Sequence, residues 1–207
     1  AIPTPITPTA GTPGSAAGAA TFTPQPAQIT LVPTVTLPSA EFSGGVEVIQ
    51  LTGRPIIDGA LDEWSAVPVS DSSYLVHNLD GWDGTDDVRA TWRLGWDNNN
   101  LYVAVAVEDD RHVQTQIGNQ IWQGDGVSLQ IDTQRTADLG PGLSPDDFQI
   151  NLSPGDFSGV PVVAFRSRGS ANGRLLDDPG HRIAIAARQS GQGYQLEAAI
   201  PWADLSV

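Results

Sequence analysis

Short apolar runs, each closed within about ten residues by a turn signal, dominate the chain from the mid-forties onward. Val127-Ser128-Leu129-Gln130-Ile131-Asp132 alternates cleanly between apolar and polar residues, as does Phe148-Gln149-Ile150-Asn151-Leu152. Leu101-Tyr102-Val103-Ala104-Val105-Ala106-Val107 is a continuous apolar, β-rich run. Further strands are expected over 46–51, 89–96, 160–166, 182–187 and 194–200. Between them stand Asp97-Asn98-Asn99-Asn100, Ser153-Pro154-Gly155-Asp156, the glycines at 169 and 173, and Ser190-Gly191-Gln192-Gly193. Period-two runs separated by Gly/Asn/Asp turns, with no sustained 3.6-residue period, specify an all-β fold, an antiparallel β-sandwich. One helical turn is expected at 61–65, where Asp62 and Glu63 suit a first turn.

Residues 1–45 read differently. They hold half of the chain's 16 prolines and a single charged residue, Glu41. Such a segment cannot bury enough apolar surface to offset its ordering entropy, and its Thr-Pro repeats favour extended conformers. The expected organisation is a disordered Pro/Thr/Ala-rich stalk over 1–45 and a folded module over 46–207.

Charge and composition narrow the function. The formal net charge is -14, and Arg supplies all 10 basic residues. An acidic surface without basic clusters repels phosphate backbones and anionic membranes, so no nucleic acid and no membrane insertion are expected. Cys is absent, which excludes disulfides and thiolate metal sites. Met is absent too, so the chain is expected to be a processed product or a piece of a longer polypeptide. The three histidines, His77, His112 and His181, show no metalloprotease spacing. No nucleophile elbow, phosphate loop or dinucleotide fingerprint is present, and no catalytic residue is assigned.

Trp122 is the leading candidate for a ligand contact. Its neighbours Gln120, Gln123, Gly124 and Asp125 are polar and turn-prone, which points to a loop mouth, whereas a buried aromatic is the alternative. Trp64, Trp96 and Trp202 sit in apolar frames and read as core; Trp82 lies in a loop. Asp109 ends one strand and Asp125 precedes another, so both can turn a carboxylate inward, toward a backbone amide or a calcium ion. Calcium takes six to eight oxygens.

Several phrases together resemble family 9 carbohydrate-binding modules, a DOMON-like β-sandwich family of jelly-roll type found on xylanases and other secreted bacterial proteins. They are Ile57-Asp58-Gly59-Ala60-Leu61-Asp62-Glu63-Trp64, Trp96-Asp97 running into Leu101-Tyr102-Val103, and Val107-Glu108-Asp109. Then come Trp122-Gln123-Gly124-Asp125-Gly126-Val127 ahead of Ile131-Asp132, Phe148-Gln149-Ile150-Asn151, and Tyr194 to Trp202. The resemblance implies a module that grips the end of a sugar chain between aromatic rings, with calcium supporting its loops. It puts Trp122 at one of two stacking positions and Gln149 and Asn151 on a ligand-contacting strand. It also implies departures: Ser128 stands where a sugar-binding member has Glu, and Gln149 where it has Arg. The second stacking Trp and one or more closing strands belong to a segment beyond Val207.

The expected function is therefore non-catalytic binding of a xylan- or cellulose-type polysaccharide or oligosaccharide. The module would target an attached enzyme or surface protein, outside the cell or at its surface, as one domain of a larger polypeptide. A DOMON-like structural or adhesion domain without sugar binding is the alternative. A haem-binding relative is a third reading, for which the absent Met offers no axial ligand.

Overall fold

The computed structural model describes residues 46, 48–72, 84–134 and 143–207; the stalk expected over 1–45, His77 and Trp82 lie outside the described residues. The larger sheet contains β1 (Ile49–Gln50), β2 (Ser70–Ser72), β3 (Val88–Trp96), β4 (Asn100–Asp109), β9 (Ala184–Ser190) and β10 (Gly193–Pro201). The smaller contains β5 (Val127–Asp132), β6 (Asp147–Ser153), β7 (Val163–Gly169) and β8 (Leu175–Asp177). The larger sheet runs β3-β4-β10-β9, with β1 and β2 both paired to β3. The smaller runs β5-β6-β7-β8. Every pairing is antiparallel except the two-residue ladder of β1 with β3. The all-β antiparallel sandwich is the observed fold.

Alternation explains how the sheets meet. Val103, Val105 and Val107 of β4 and Tyr194, Leu196, Ala198 and Ile200 of β10 point inward, against Phe148, Ile150 and Leu152 of β6 and Ala164 of β7. Burying each such large side chain stabilises the fold by about 1.5–3 kcal/mol. The opposite faces of the same two strands are also covered. Tyr102, Ala104 and Ala199 form a second cluster with Trp64 and Val67. A strand buried on both faces reads as a continuous apolar run, which is why 101–107 does not alternate.

Three expected strands differ in extent, the 182–187 run being observed as Ala184–Ser190. The 46–51 run contributes only Ile49–Gln50 to a sheet. The 160–166 run begins at Val163, because Asp156 Oδ1 accepts the backbone N–H groups of Ser158, Gly159 and Val160 at 2.9, 2.7 and 2.8 Å. That cap holds the stretch in a turn, and Pro161 next to it has no N–H to give a ladder. The short strands β2 and β8 carry no sequence pattern long enough to announce them. The helical turn at 61–65 is a 3-10 helix, Asp62–Ala66.

One side of the sandwich stays open. Between the inner faces of β3 and β4 and the outermost strand β5 lies a cavity of about 480 Å³, lined by Ala90, Trp92, Leu94, Val105 and Leu129 among others. Trp92 and Leu129 are accordingly only half-buried.

Candidate functional site

The loop between β4 and β5 carries Trp122, and a buried amide organises it. Gln114, almost fully buried, donates from Nε2 to the carbonyls of Ile121 at 3.1 Å and Asp125 at 2.8 Å. Its Oε1 accepts the Gln116 N–H at 2.9 Å. A Cβ at Gly124 would displace that amide from its hydrogen bonds. Between these anchors Gly118–Gln123 winds a 3-10 helix that drives Ile121 into the interior and leaves Trp122 on the surface, 59% exposed. Trp122 is thus not a core residue. Trp64 is core, as expected, while Trp96 and Trp202 are half-buried.

The same helix packs against β6 and β7 and is tied to β8 by Asn119 Nδ2 donating to Asp177 Oδ2 at 2.9 Å. It therefore borders the outer face of the smaller sheet. Because Phe148, Ile150 and Leu152 point into the core, Gln149 and Asn151 point outward. Register sets Ser128, Asn151 and Phe165 in one cross-strand row and Gln130, Gln149, Ser167 and Asp177 in the next. Ser128 Oγ donates to Asn151 Oδ1 at 2.6 Å, and Gln149 Nε2 approaches the same oxygen at 3.4 Å. Gln149 and Asn151 thus share one polar face with Ser128, beside the helix that bears Trp122. Phe165, Ser167, Asn119 and Asp177 belong to this surface and were not anticipated. Alternation in β7 would have found the first two had its start been placed at Val163.

Asp109 and Asp125, the expected metal ligands, come together at the C-terminal end of β4, at the base of the same loop. With His112 they offer three ligand atoms within 4.8 Å of one another. Asp125 bridges the loop: its N–H donates to the Val113 carbonyl at 2.9 Å, and its Oδ2 accepts the Val113 N–H. Burial, together with the charge of Asp109, pushes the Asp125 carboxyl above the usual carboxylate range. His112 Nε2 is 2.7 Å from the Gly155 carbonyl. A carbonyl only accepts, so Nε2 carries the proton. Nδ1 then faces Asp125 Oδ2 at 3.2 Å, buried and without a hydrogen-bond partner. An imidazole nitrogen is not a donor that calcium selects, so this trio does not match the oxygen-only set expected for that ion.

Comparison with known proteins assigns the chain. A family model described as carbohydrate family 9 binding domain-like matches residues 57–207. The chain belongs to this family. Among curated relatives, endo-1,4-beta-xylanase A of Thermoanaerobacterium saccharolyticum is 26% identical over 156 residues, 74% of this chain and 11% of the xylanase. The chain thus spans about a tenth of that relative's length. Among solved structures, a family 9 carbohydrate-binding module from Caldicellulosiruptor kristjanssonii in complex with cellotriose aligns with TM-score 0.50 and 22% identity, over 74% of this chain and 66% of that one. The glucose complex from the same organism aligns at TM-score 0.49 and 22% identity, over 74% and 68%.

Much of the family 9 sequence signal turns out to be bracing. Glu197, fully buried on β10, accepts Trp64 Nε1–H at 2.6 Å and the N–H groups of Gly59 at 2.7 Å and Asp58 at 3.1 Å. Burial raises its carboxyl above the ordinary glutamate range, against the pull of those three donors. Asp97 holds the β3–β4 turn by accepting from Asn99, Asn100 and the Tyr102 hydroxyl at 2.7, 2.8 and 2.8 Å. Its carbonyl accepts Trp202 Nε1–H at 2.8 Å.

Proposed function

We propose that this family 9 module binds carbohydrate without catalysing its cleavage, through the outer face of β5 to β8. Trp122 serves as the stacking ring, and Gln149 and Asn151 as hydrogen-bonding partners for hydroxyls. The observation that carries the reading is the exposed Trp122 indole, set on a braced loop at the border of a polar sheet face. Sugar rings present apolar C–H faces to such an aromatic, and their hydroxyls need amide donors and acceptors nearby. The ligand is a cello- or xylo-oligosaccharide end, in keeping with the cellotriose complex of the structural neighbour and the xylanase among the relatives. The module acts outside the cell or at its surface, joined to further domains, where weak binding raises their local concentration on polysaccharide.

Titration of the full chain with cellotriose and xylotriose by calorimetry tests this, beside Trp122→Ala. Saturable binding that disappears in the variant supports it. Binding that survives in Trp122→Ala overturns the assignment of the site, and no binding to either sugar or to insoluble glucan and xylan overturns the function. One observation favours the structural or adhesion reading: Asn151 Oδ1 already receives Ser128 and Gln149, so the face partly satisfies itself.

A further inference from the structure

We propose that Asp109, His112 and Asp125 bind a divalent transition-metal ion of the zinc class, as a clamp that closes the base of the Trp122-bearing loop, with His112 in turn held to the loop after β6 through the Gly155 carbonyl. The donor set is mixed, one imidazole nitrogen and two carboxylates, which suits zinc and its neighbours and not calcium. The His112 Nδ1 to Asp125 Oδ2 separation of 3.2 Å is close to the edge, about 3.4 Å, between two ligands held about 2.1 Å from a tetrahedral ion. His112 is oriented as a metal-ligating histidine usually is, with its other ring nitrogen donating to a backbone carbonyl. That leaves the Nδ1 lone pair buried, unpartnered and facing a carboxylate, an arrangement that a cation between them resolves.

The surroundings hold the ring in place. Phe157 lies tilted against it at 5.2 Å and Tyr194 meets it edge-on at 5.5 Å. Phe157 does so from a left-handed backbone, φ 59°, a conformation a bulky residue adopts only when its surroundings impose it. The imposing group is Asp156, whose carboxylate gathers the three following N–H groups. Asp109 and Asp125 also line the 480 Å³ cavity, which leaves room for water as a remaining ligand.

The test uses the full chain, stripped of metal with a chelator and titrated with Co²⁺, Zn²⁺ and Ca²⁺. The proposal expects one equivalent of Co²⁺ to give a visible d–d band that Zn²⁺ abolishes. It also expects the thermal midpoint to rise with Zn²⁺ and not with Ca²⁺ at equal concentration. His112→Gln should weaken Co²⁺ and Zn²⁺ binding more than about tenfold with the near-ultraviolet circular dichroism preserved; Asp109→Asn is the second variant should that one fail to fold. Absence of the d–d band in the parent chain, equal binding by His112→Gln, or an equal midpoint shift with Ca²⁺ overturns it. Sugar titration of the same samples is a separate readout, so loss of one does not imply loss of the other.

Discussion

On the larger sheet the outward residues Tyr102, Ala104, Glu197 and Ala199 are buried beneath Trp64 and Val67. On the smaller sheet the outward residues Ser128 and Gln130 are exposed, and Gln149 and Asn151 present amides to one another. Both faces arise from strands of the same kind, yet one is sealed by a preceding segment and the other is bordered by the Trp122 helix. The sealed face buries Glu197, whose carboxylate is inaccessible and accepts its three donors from the protein itself. The open face carries amides and hydroxyls in rows together with Phe165 and Asp177, with Asn151 and Ser167 largely buried among them. Recognition of a family can therefore rest on the sealed face, while the proposed binding site lies on the open one.

The largest expected effect falls on the sealed face. Trp64→Ala removes a fully buried indole and leaves Glu197 without its closest donor, and should cost about 3–5 kcal/mol in urea unfolding. A loss below about 1 kcal/mol would break the comparison, since Trp64 would then be a cover and not a keystone.

Glu197→Gln comes next, at about 1–3 kcal/mol, because an amide cannot accept on both ends and one buried donor is left unpaired. This variant also changes the pH profile. A carboxyl raised in the folded state holds its proton more tightly there than in the unfolded chain. Its contribution to stability then falls as pH rises from about 4.3, the unfolded value, to the raised folded value. Glu197→Gln should flatten that slope in pH-dependent unfolding; an unchanged slope means another group titrates there.

The sandwich was legible because alternation and turn residues are local signals. Strands β3, β4, β5, β6 and β10 fall within a residue or two of the expected spans. β7 was displaced because the Asp156 cap acts on backbone N–H groups that no hydrophobic pattern reports. The parallel pairing of β1 was not legible, since two residues carry no period. Gln149 and Asn151 could be placed on one face from spacing alone. His112 was not joined to Asp109 and Asp125, although it stands three residues after Asp109, because only the path of the loop to β5 brings its ring against Asp125. Asp177 was missed as a neighbour across a register, and Phe165 because the start of β7 was displaced.

Trp122→Ala should mark the contrast between the faces most sharply. The indole is 59% exposed, so truncation should change stability by no more than about 0.5 kcal/mol, a tenth of the Trp64 effect. Oligosaccharide affinity should fall at least about tenfold, since a stacked ring contributes on the order of 1–2 kcal/mol. Paired urea unfolding and calorimetry check both halves. A destabilised variant would place Trp122 with the sealed face after all.

The smallest effect is a gain. Ser128 and Gln149 stand where the family resemblance implies Glu and Arg, and both occupy the open face, Ser128 exposed and Gln149 half-buried. Neither position is walled in, so the double variant Ser128→Glu with Gln149→Arg should fold with little change in stability. Position 128 is opposite Asn151, two residues from 149 on the same strand face, so the new charges are diagonal neighbours within reach of each other. Charge-assisted hydrogen bonds are roughly twice as strong as neutral ones, and the new Glu no longer donates to Asn151 Oδ1, which frees that oxygen for a hydroxyl. Part of the gain is offset because the two charges attract one another before they attract sugar. Affinity for cellotriose should rise about three- to tenfold, with each single variant giving less than half of that in free energy. Calorimetry on the parent, both singles and the double closes the cycle. If the double binds no better than the parent while Trp122→Ala still loses binding, the amide rows are scaffold and the ring alone makes the site.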